Sequence, residues 1–147
     1  MGPVAQPAFE IRELSPLDLP GLAELLAWAP EAASWVEGYP GYVALEHSPA
    51  GPIYRGFLLF RVVAGEGEIL NLAIAPACRR QGLARRLFEK VLPLAATWHL
   101  EVRASNRAAI TLYESLGFTN AGRRERYYLD GEAALLFTKQ GPQSGFC

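Results

Sequence analysis

The sequence predicts an α+β fold on three observations. Strand-like apolar runs fill residues 42–76 and meet at tight-turn signals. Helical and strand periods then alternate. Near the end, an Asp130–Gly131 turn signal separates two more strand-like runs. Hairpins, then strand–helix–strand–helix–hairpin, describe a mixed sheet with helices packed on it.

Each element has its own signal. Residues 9–14, FEIREL, read as a first strand. In residues 15–29, Leu19, Leu22, Leu25, Leu26 and Trp28 fall near helical spacing, and the helix is expected to start near Asp18–Pro20. Residues 31–38 are expected to form a second short helical piece. YVALEH and YRGFLLFRVVAG read as strands joined by the Pro/Gly-rich SPAGP turn, and GEGEILNLAIAP turns straight back into another. That strand is apolar on both faces except at Asn71, as a central position requires. Leu83, Leu87 and Val91, four apart, mark a helix widened by Phe88 and Ala95 and ended or kinked by Pro93. In residues 97–105, Trp98, Leu100 and Val102 share one strand face, and His99, Glu101 and Arg103 share the other. Residues 106–118 read as a short amphipathic helix closed by Gly117. RRERYYL and EAALLF are expected to pair as a hairpin on the Asp130–Gly131 turn.

Composition bounds the function. The 147 residues are long enough for one domain, residues 1–147, with ends 1–8 and 140–147 expected to fray. Half the chain is apolar and a fifth charged, a globular composition. No apolar run approaches a membrane span, and no basic segment leads an apolar one at the N-terminus, so the expected compartment is cytoplasmic. Cys78 and Cys147 make no metal spacing and no disulfide framework, and no metal is expected. Residues 1–70 carry three basic and nine acidic side chains, and residues 71–147 carry eleven and six. That asymmetry points to an anionic partner for the second half. A pI near 6.1 argues against a dedicated nucleic-acid module.

The basic residues cluster at an odd place. Arg79 to Arg86, RRQGLARR, opens a helix without an acidic cap, although that end of a helix disfavours cations. Unpaired N–H groups, the helix dipole and flanking guanidiniums make a ready phosphate site, and Gly82 lets a ligand approach the backbone. Arginines snorkelling into water is the alternative. No G-x-x-x-x-G-K-[ST] occurs, and GEGEIL precedes a strand rather than following one, so neither a P-loop nor a dinucleotide fingerprint is present. A diphosphate-bearing carrier such as coenzyme A fits better.

Three pieces in order carry a family resemblance: the strand ILNLAIAP, the loop Arg79-Arg80-Gln81-Gly82-Leu83-Ala84, and Asn106-x-x-Ala109-x-x-Leu112-Tyr113-x-x-x-Gly117-Phe118. Together they resemble the GCN5-related N-acetyltransferase (GNAT) superfamily over about residues 53–138. LEVRASNRAAITLYESLGF and RRERYY are most similar to bacterial ribosomal-protein-alanine N-acetyltransferases. The chain departs from that branch at Leu129, the Asp130–Gly131 turn and Glu132-Ala133-Ala134, and matches poorly before Tyr42.

The resemblance implies a central mixed, mostly antiparallel twisted sheet of about six to seven strands flanked by about four helices. It implies direct acetyl transfer from acetyl-CoA to a primary amine, most closely a protein's N-terminal α-amine such as that of a ribosomal protein. Leu72, Ala73, Ile74, Arg79, Arg80, Gln81, Gly82, Leu83, Ala84, Arg85 and Asn106 would hold the coenzyme. On the residues alone, Glu101 reads as an ordinary strand carboxylate and Tyr113 as a core aromatic. The resemblance makes Glu101 the general base and Tyr113 the acid for the departing thiolate. Asn106 also reads as a helix N-cap. Arg126, Tyr127 and Tyr128 are candidates to grip a peptide N-terminus, or a cross-strand aromatic pair. Trp35 and Tyr39 are candidates for the opposite wall, or core. Cys78 lacks a positioned base, so no acetyl-cysteine is expected, and His47 and His99 read as structural or surface residues. The rival functions are transfer to a small-molecule amine or lysine side chain, a non-catalytic acyl-CoA-binding module, and RNA binding through the two arginine patches.

Overall fold

The computed structural model describes residues 8–27, 38–79 and 82–140. It has the expected α+β class. The seven strands among the described residues are β1 (Phe9–Glu13), β2 (Gly41–Ser48), β3 (Gly51–Val63), β4 (Glu66–Ile74), β5 (Thr97–Arg103), β6 (Thr119–Arg124) and β7 (Ala134–Gln140). Among the described residues the α-helices are α1 (Ala23–Leu26), α2 (Leu83–Val91) and α3 (Arg107–Ser115). Apart from Gly38, the helical piece expected at residues 31–38 lies outside the described residues. No helix among the described residues is long and apolar enough to cross a membrane.

The chain folds as two compact units, Met1–Phe60 with Asn71–Lys90, and Arg61–Leu70 with Val91–Cys147. In the first, β1 pairs antiparallel with β2, and β2 with β3. A bulge opposite Ala44 and Leu45 leaves Arg55 as the extra residue of β3. Val43, Ala44, Leu45 and Phe57–Phe60 are buried, so FLLF is covered on both faces, as an interior strand requires. The α2 stripe behaves as its spacing predicts: Leu83, Leu87, Phe88 and Val91 are at most 1% exposed.

The first helical segment starts earlier than predicted. Ser15 is its N-cap, a 3-10 turn covers Pro16–Leu22, and among the described residues Ala23–Leu26 is α-helical. The cause is Asp18, whose carboxylate is recruited downward into the fold. It accepts from the Ser15 N–H at 2.8 Å, from both Arg12 Nη atoms at 2.6 and 2.8 Å, and from the Tyr54 hydroxyl at 2.5 Å. Asp18 is only 2% exposed.

In the second unit, the Ala64–Gly65 turn between β3 and β4 has φ of 52° and 81°, the two positive values of a type I′ hairpin. β4 pairs in parallel with β5 at Glu66↔Thr97, Gly67↔Trp98 and Glu68↔His99. β5 pairs antiparallel with β7, and β7 with β6. The β5 alternation matches its reading, with Trp98, Leu100 and Val102 buried and Glu101 facing out. Trp98 donates its indole N–H to the Leu92 carbonyl at 2.9 Å. Its ring lies where a side chain on Gly67 would be, 2.5 Å from an added Cβ.

Helix α3 is capped at both ends as read. Asn106 Oδ1 accepts from the Ala109 N–H at 3.1 Å. Past its last turn, Gly117 adopts φ +95°, and the Phe118 and Gly117 N–H groups return to the Tyr113 and Glu114 carbonyls, both at 3.0 Å. That is a Schellman closure, and the Tyr113–Phe118 ring contact is its apolar companion.

The hairpin on Asp130–Gly131 is not what forms. Strand pairing ends at Arg124↔Ala134, leaving a nine-residue loop from Glu125 to Ala133. The loop's carboxylates bind the end of β5 instead. Glu132 accepts from the Ser105 N–H at 2.8 Å and from Arg103 at 3.1 Å, while Asp130 takes Arg103 at 2.8 Å. The Tyr127 and Tyr128 N–H groups both donate to the Glu132 carbonyl at 3.1 Å, and Gly131 turns at φ +89°.

Candidate functional site

The start of α2 is built by local sequence. Past β4, Ala75 donates to the Arg55 carbonyl at 2.8 Å and a 3-10 turn covers Pro76–Cys78. Arg79 follows in extended conformation, with Nε 3.4 Å from the Ile74 carbonyl. Gly82 has φ +76°, which favours glycine, and nothing lies within 4 Å of the position its Cβ would take. The first turn of α2 contains no acidic residue. An open, acid-free helix start with approachable backbone fits an anionic diphosphate. Strand, turn and helix thus bring Leu72, Ala73, Ile74, Arg79, Gly82, Leu83, Ala84 and Arg85 into one continuous segment. Arg85 is exposed, whereas Leu83 is buried beneath the turn. Arg80, Gln81 and Trp35 lie outside the described residues, and Tyr39 is half-buried just before β2. Arg86 is engaged elsewhere, donating to the Phe9 carbonyl at 3.0 Å.

Glu101 occupies the open face of β5. Its register partner is Leu136 on β7, which in turn pairs with Gly122 on β6. Two residues along β6 from Gly122, and therefore on the same face, Arg124 brings Nη1 to 3.7 Å from Glu101 Oε1. Interaction with the same carboxylate, then burial, pushes the Tyr127 phenol above the usual tyrosine range. A groove of about 780 Å³ opens here, lined among others by Glu66, Glu68, His99, Glu101, Arg124 and Tyr127. His99 pairs with Glu66 at 2.7 Å, a surface role as read, and His47 pairs with Glu10 at 3.0 Å.

Tyr113 is buried on α3. Burial, and secondarily Tyr128, pushes its phenol up to about 12, so it holds its proton at neutral pH. Tyr127 and Tyr128 meet edge to face with centroids 5.1 Å apart, in a loop rather than across strands. Arg103 lies 4.1 Å from the centre of the Tyr128 ring and ties the loop through Asp130 and Glu132. Bonding to Ser105 first, then to Arg103, holds the Glu132 carboxyl below the usual range. Arg126 is exposed at φ +52°. The second unit therefore gathers Glu101, Tyr127 and Tyr128 around β5, with Tyr113 and Asn106 on the helix that follows. Cys78 is buried. Among the described residues, no three His, Cys, Asp or Glu side chains are grouped to hold a metal.

Sequence reading missed Arg103 as the loop's anchor and Arg124 as a neighbour of Glu101. Both were visible only as members of a strand face and an arginine patch.

Residues 10–118 match the profile described as the acetyltransferase (GNAT) family. The [ribosomal protein bS18]-alanine N-acetyltransferase of Escherichia coli strain K12 is 47% identical over 78 residues, 49% of this chain and 52% of that protein. The matched stretch thus spans about half the length of that curated relative. The crystal structure of the ribosomal-protein-S18-alanine N-acetyltransferase from Escherichia coli superposes with TM-score 0.75 at 33% identity, covering 94% of this chain and 97% of that one. Arabidopsis thaliana NAA60 in complex with a bisubstrate analogue, 20% identical, shares the fold with TM-score 0.77 over 90% and 98% of the two chains.

Proposed function

The chain belongs to the GNAT family of acetyltransferases, and from that premise we propose that residues 1–147 act as one domain that moves acetyl from acetyl-CoA to the N-terminal α-amine of a protein. A ribosomal protein beginning with alanine is the favoured acceptor, by similarity to the relatives named for that activity.

Acetyl-CoA supplies the thioester. The open start of α2, with Gly82 and the arginines Arg79 and Arg85, suits its diphosphate, and Leu72–Ile74 and Asn106 are the remaining coenzyme contacts proposed. The acceptor needs a neutral amine, and an α-amino group with pKa of about 7.7–8.0 requires only a modest base. Glu101 serves as that base, directly or through water. Tyr113, protonated at neutral pH, is the proposed donor of a proton to the departing thiolate. Tyr127, Tyr128 and Arg126 are the proposed acceptor contacts of the second unit, and Trp35 and Tyr39 are the further acceptor residues proposed.

One observation carries this reading: Glu101 is a carboxylate left accessible at a groove that Tyr127 also lines, and it is not sealed by a cation. Acetyl-CoA turnover against alanine-first peptides, polyamines and aminoglycosides tests it. Acetylation of the peptide α-amine is expected. Turnover of the small amines alone would reassign the acceptor.

A further inference from the structure

Two of the carboxylates that face an arginine, Asp18 and Glu101, are held in opposite ways. Asp18 is sealed: 2% exposed, with two guanidinium bonds at 2.6 and 2.8 Å and a tyrosine bond at 2.5 Å. Glu101 has the same kinds of partner in a loose arrangement. Its arginine contact of 3.7 Å exceeds hydrogen-bond length, and the Arg124 and Glu101 side chains are 57% and 30% exposed. Arg124 also lies 5.7 Å from the Tyr127 ring centre, so it has a second seat if it leaves the carboxylate.

The other charged groups around Glu101 are already committed. His99 on the same strand pairs with Glu66, Arg103 with Asp130 and Glu132, and Glu68 of β4 with Arg61 at 2.6 Å. Arg124 is therefore the cation that faces Glu101 and is neither tightly bonded to it nor shared with another carboxylate in these ion pairs.

We propose that Arg124 is a positioning residue that stands in for the acceptor's ammonium group: it keeps the Glu101 carboxylate aligned beside Tyr127 until an amine arrives, and then yields its place. The inference rests on the reading of Glu101 as the group that receives the acceptor amine. Exposed ion pairs hold weakly. An ammonium that reaches hydrogen-bond distance displaces a guanidinium at 3.7 Å, and Arg124 then rests on the Tyr127 ring. The two cations compete, so the resting contact weakens acceptor binding without touching the coenzyme.

The test uses the full chain with acetyl-CoA and a synthetic hexapeptide beginning with alanine. Arg124→Gln is expected to lower the peptide KM about two- to fivefold, the range of an exposed ion pair, and to leave the acetyl-CoA KM unchanged. Arg124→Lys, which restores a cation, is expected to return toward wild type. A second readout needs no turnover: the phenol titration of Tyr127, identified by its loss in Tyr127→Phe. Its midpoint should rise in Arg124→Gln, which removes a nearby cation, and fall in Glu101→Gln, which removes the anion. A peptide KM that is unchanged or raised in Arg124→Gln, or a Tyr127 titration indifferent to Arg124, overturns the proposal. Full turnover in Glu101→Gln instead overturns the assignment of the base itself, so the two failures are distinguishable.

Discussion

Replacing Asp18 with asparagine preserves the shape of the side chain and removes its charge. In the fold this carboxyl sits near pKa 2 against a reference of 3.8, chiefly because Arg12 bonds it, with Tyr54 and the Ser15 N–H adding to the shift and burial opposing it. A depression of that size corresponds to roughly 2 kcal/mol of stability at neutral pH. The sign follows from the depressed value. The contribution is complete above the unfolded-state pKa of about 3.9 and is lost as pH falls through about 2. Arg12 is 37% exposed at its side chain, so the orphaned guanidinium recovers some hydration, and the loss stays near roughly 2 kcal/mol instead of the 3–5 of a fully buried broken pair. At this chain length Asp18→Asn should lower Tm by about 4–8 °C at pH 7. Urea unfolding of both proteins from pH 7 to pH 2 is the assay. The stability gap should be constant down to about pH 4 and close progressively below it. A Tm within a degree of wild type at pH 7, or a gap unchanged at pH 2, would refute the assignment of this network as a stabilising ion pair.

Three further outcomes are expected. Gly67→Ala forces a Cβ into the Trp98 ring and should cost about 1–3 kcal/mol in denaturant unfolding; a neutral result would mean that the ring moves freely. Gly82→Ala meets no clash but must hold φ +76°, so calorimetry should show weaker acetyl-CoA binding with stability reduced by about 1 kcal/mol. Tyr113→Phe should lower kcat by about 10²–10⁴-fold with little change in coenzyme affinity, and retained turnover would remove its acid role.

What the sequence made legible was local. The alternation of β5 assigned Glu101 to the outward face, and both caps of α3 were readable because each is a contact between residues three to five positions apart. The α2 stripe was equally plain. Contacts between distant segments were hidden. Tyr54 lies 36 positions from Asp18, so nothing near Asp18 announced a carboxylate that would turn inward and start the helix early. The final hairpin failed for a related reason. A two-residue turn signal was genuine, but Arg103 and Ser105, some 27 positions away, compete for the loop's acidic residues and end the pairing at Arg124. Arg124 itself could be linked to Glu101 only through the registers of two strand pairs.

The β6–β7 loop is tied to the sheet by main-chain bonds and by Arg103, while Leu129 at its crest is fully exposed. Knots and crest are thus separate residues. A change of side chain at the crest leaves every one of those anchoring bonds in place, so the residue that the loop turns outward can vary without slackening the tether.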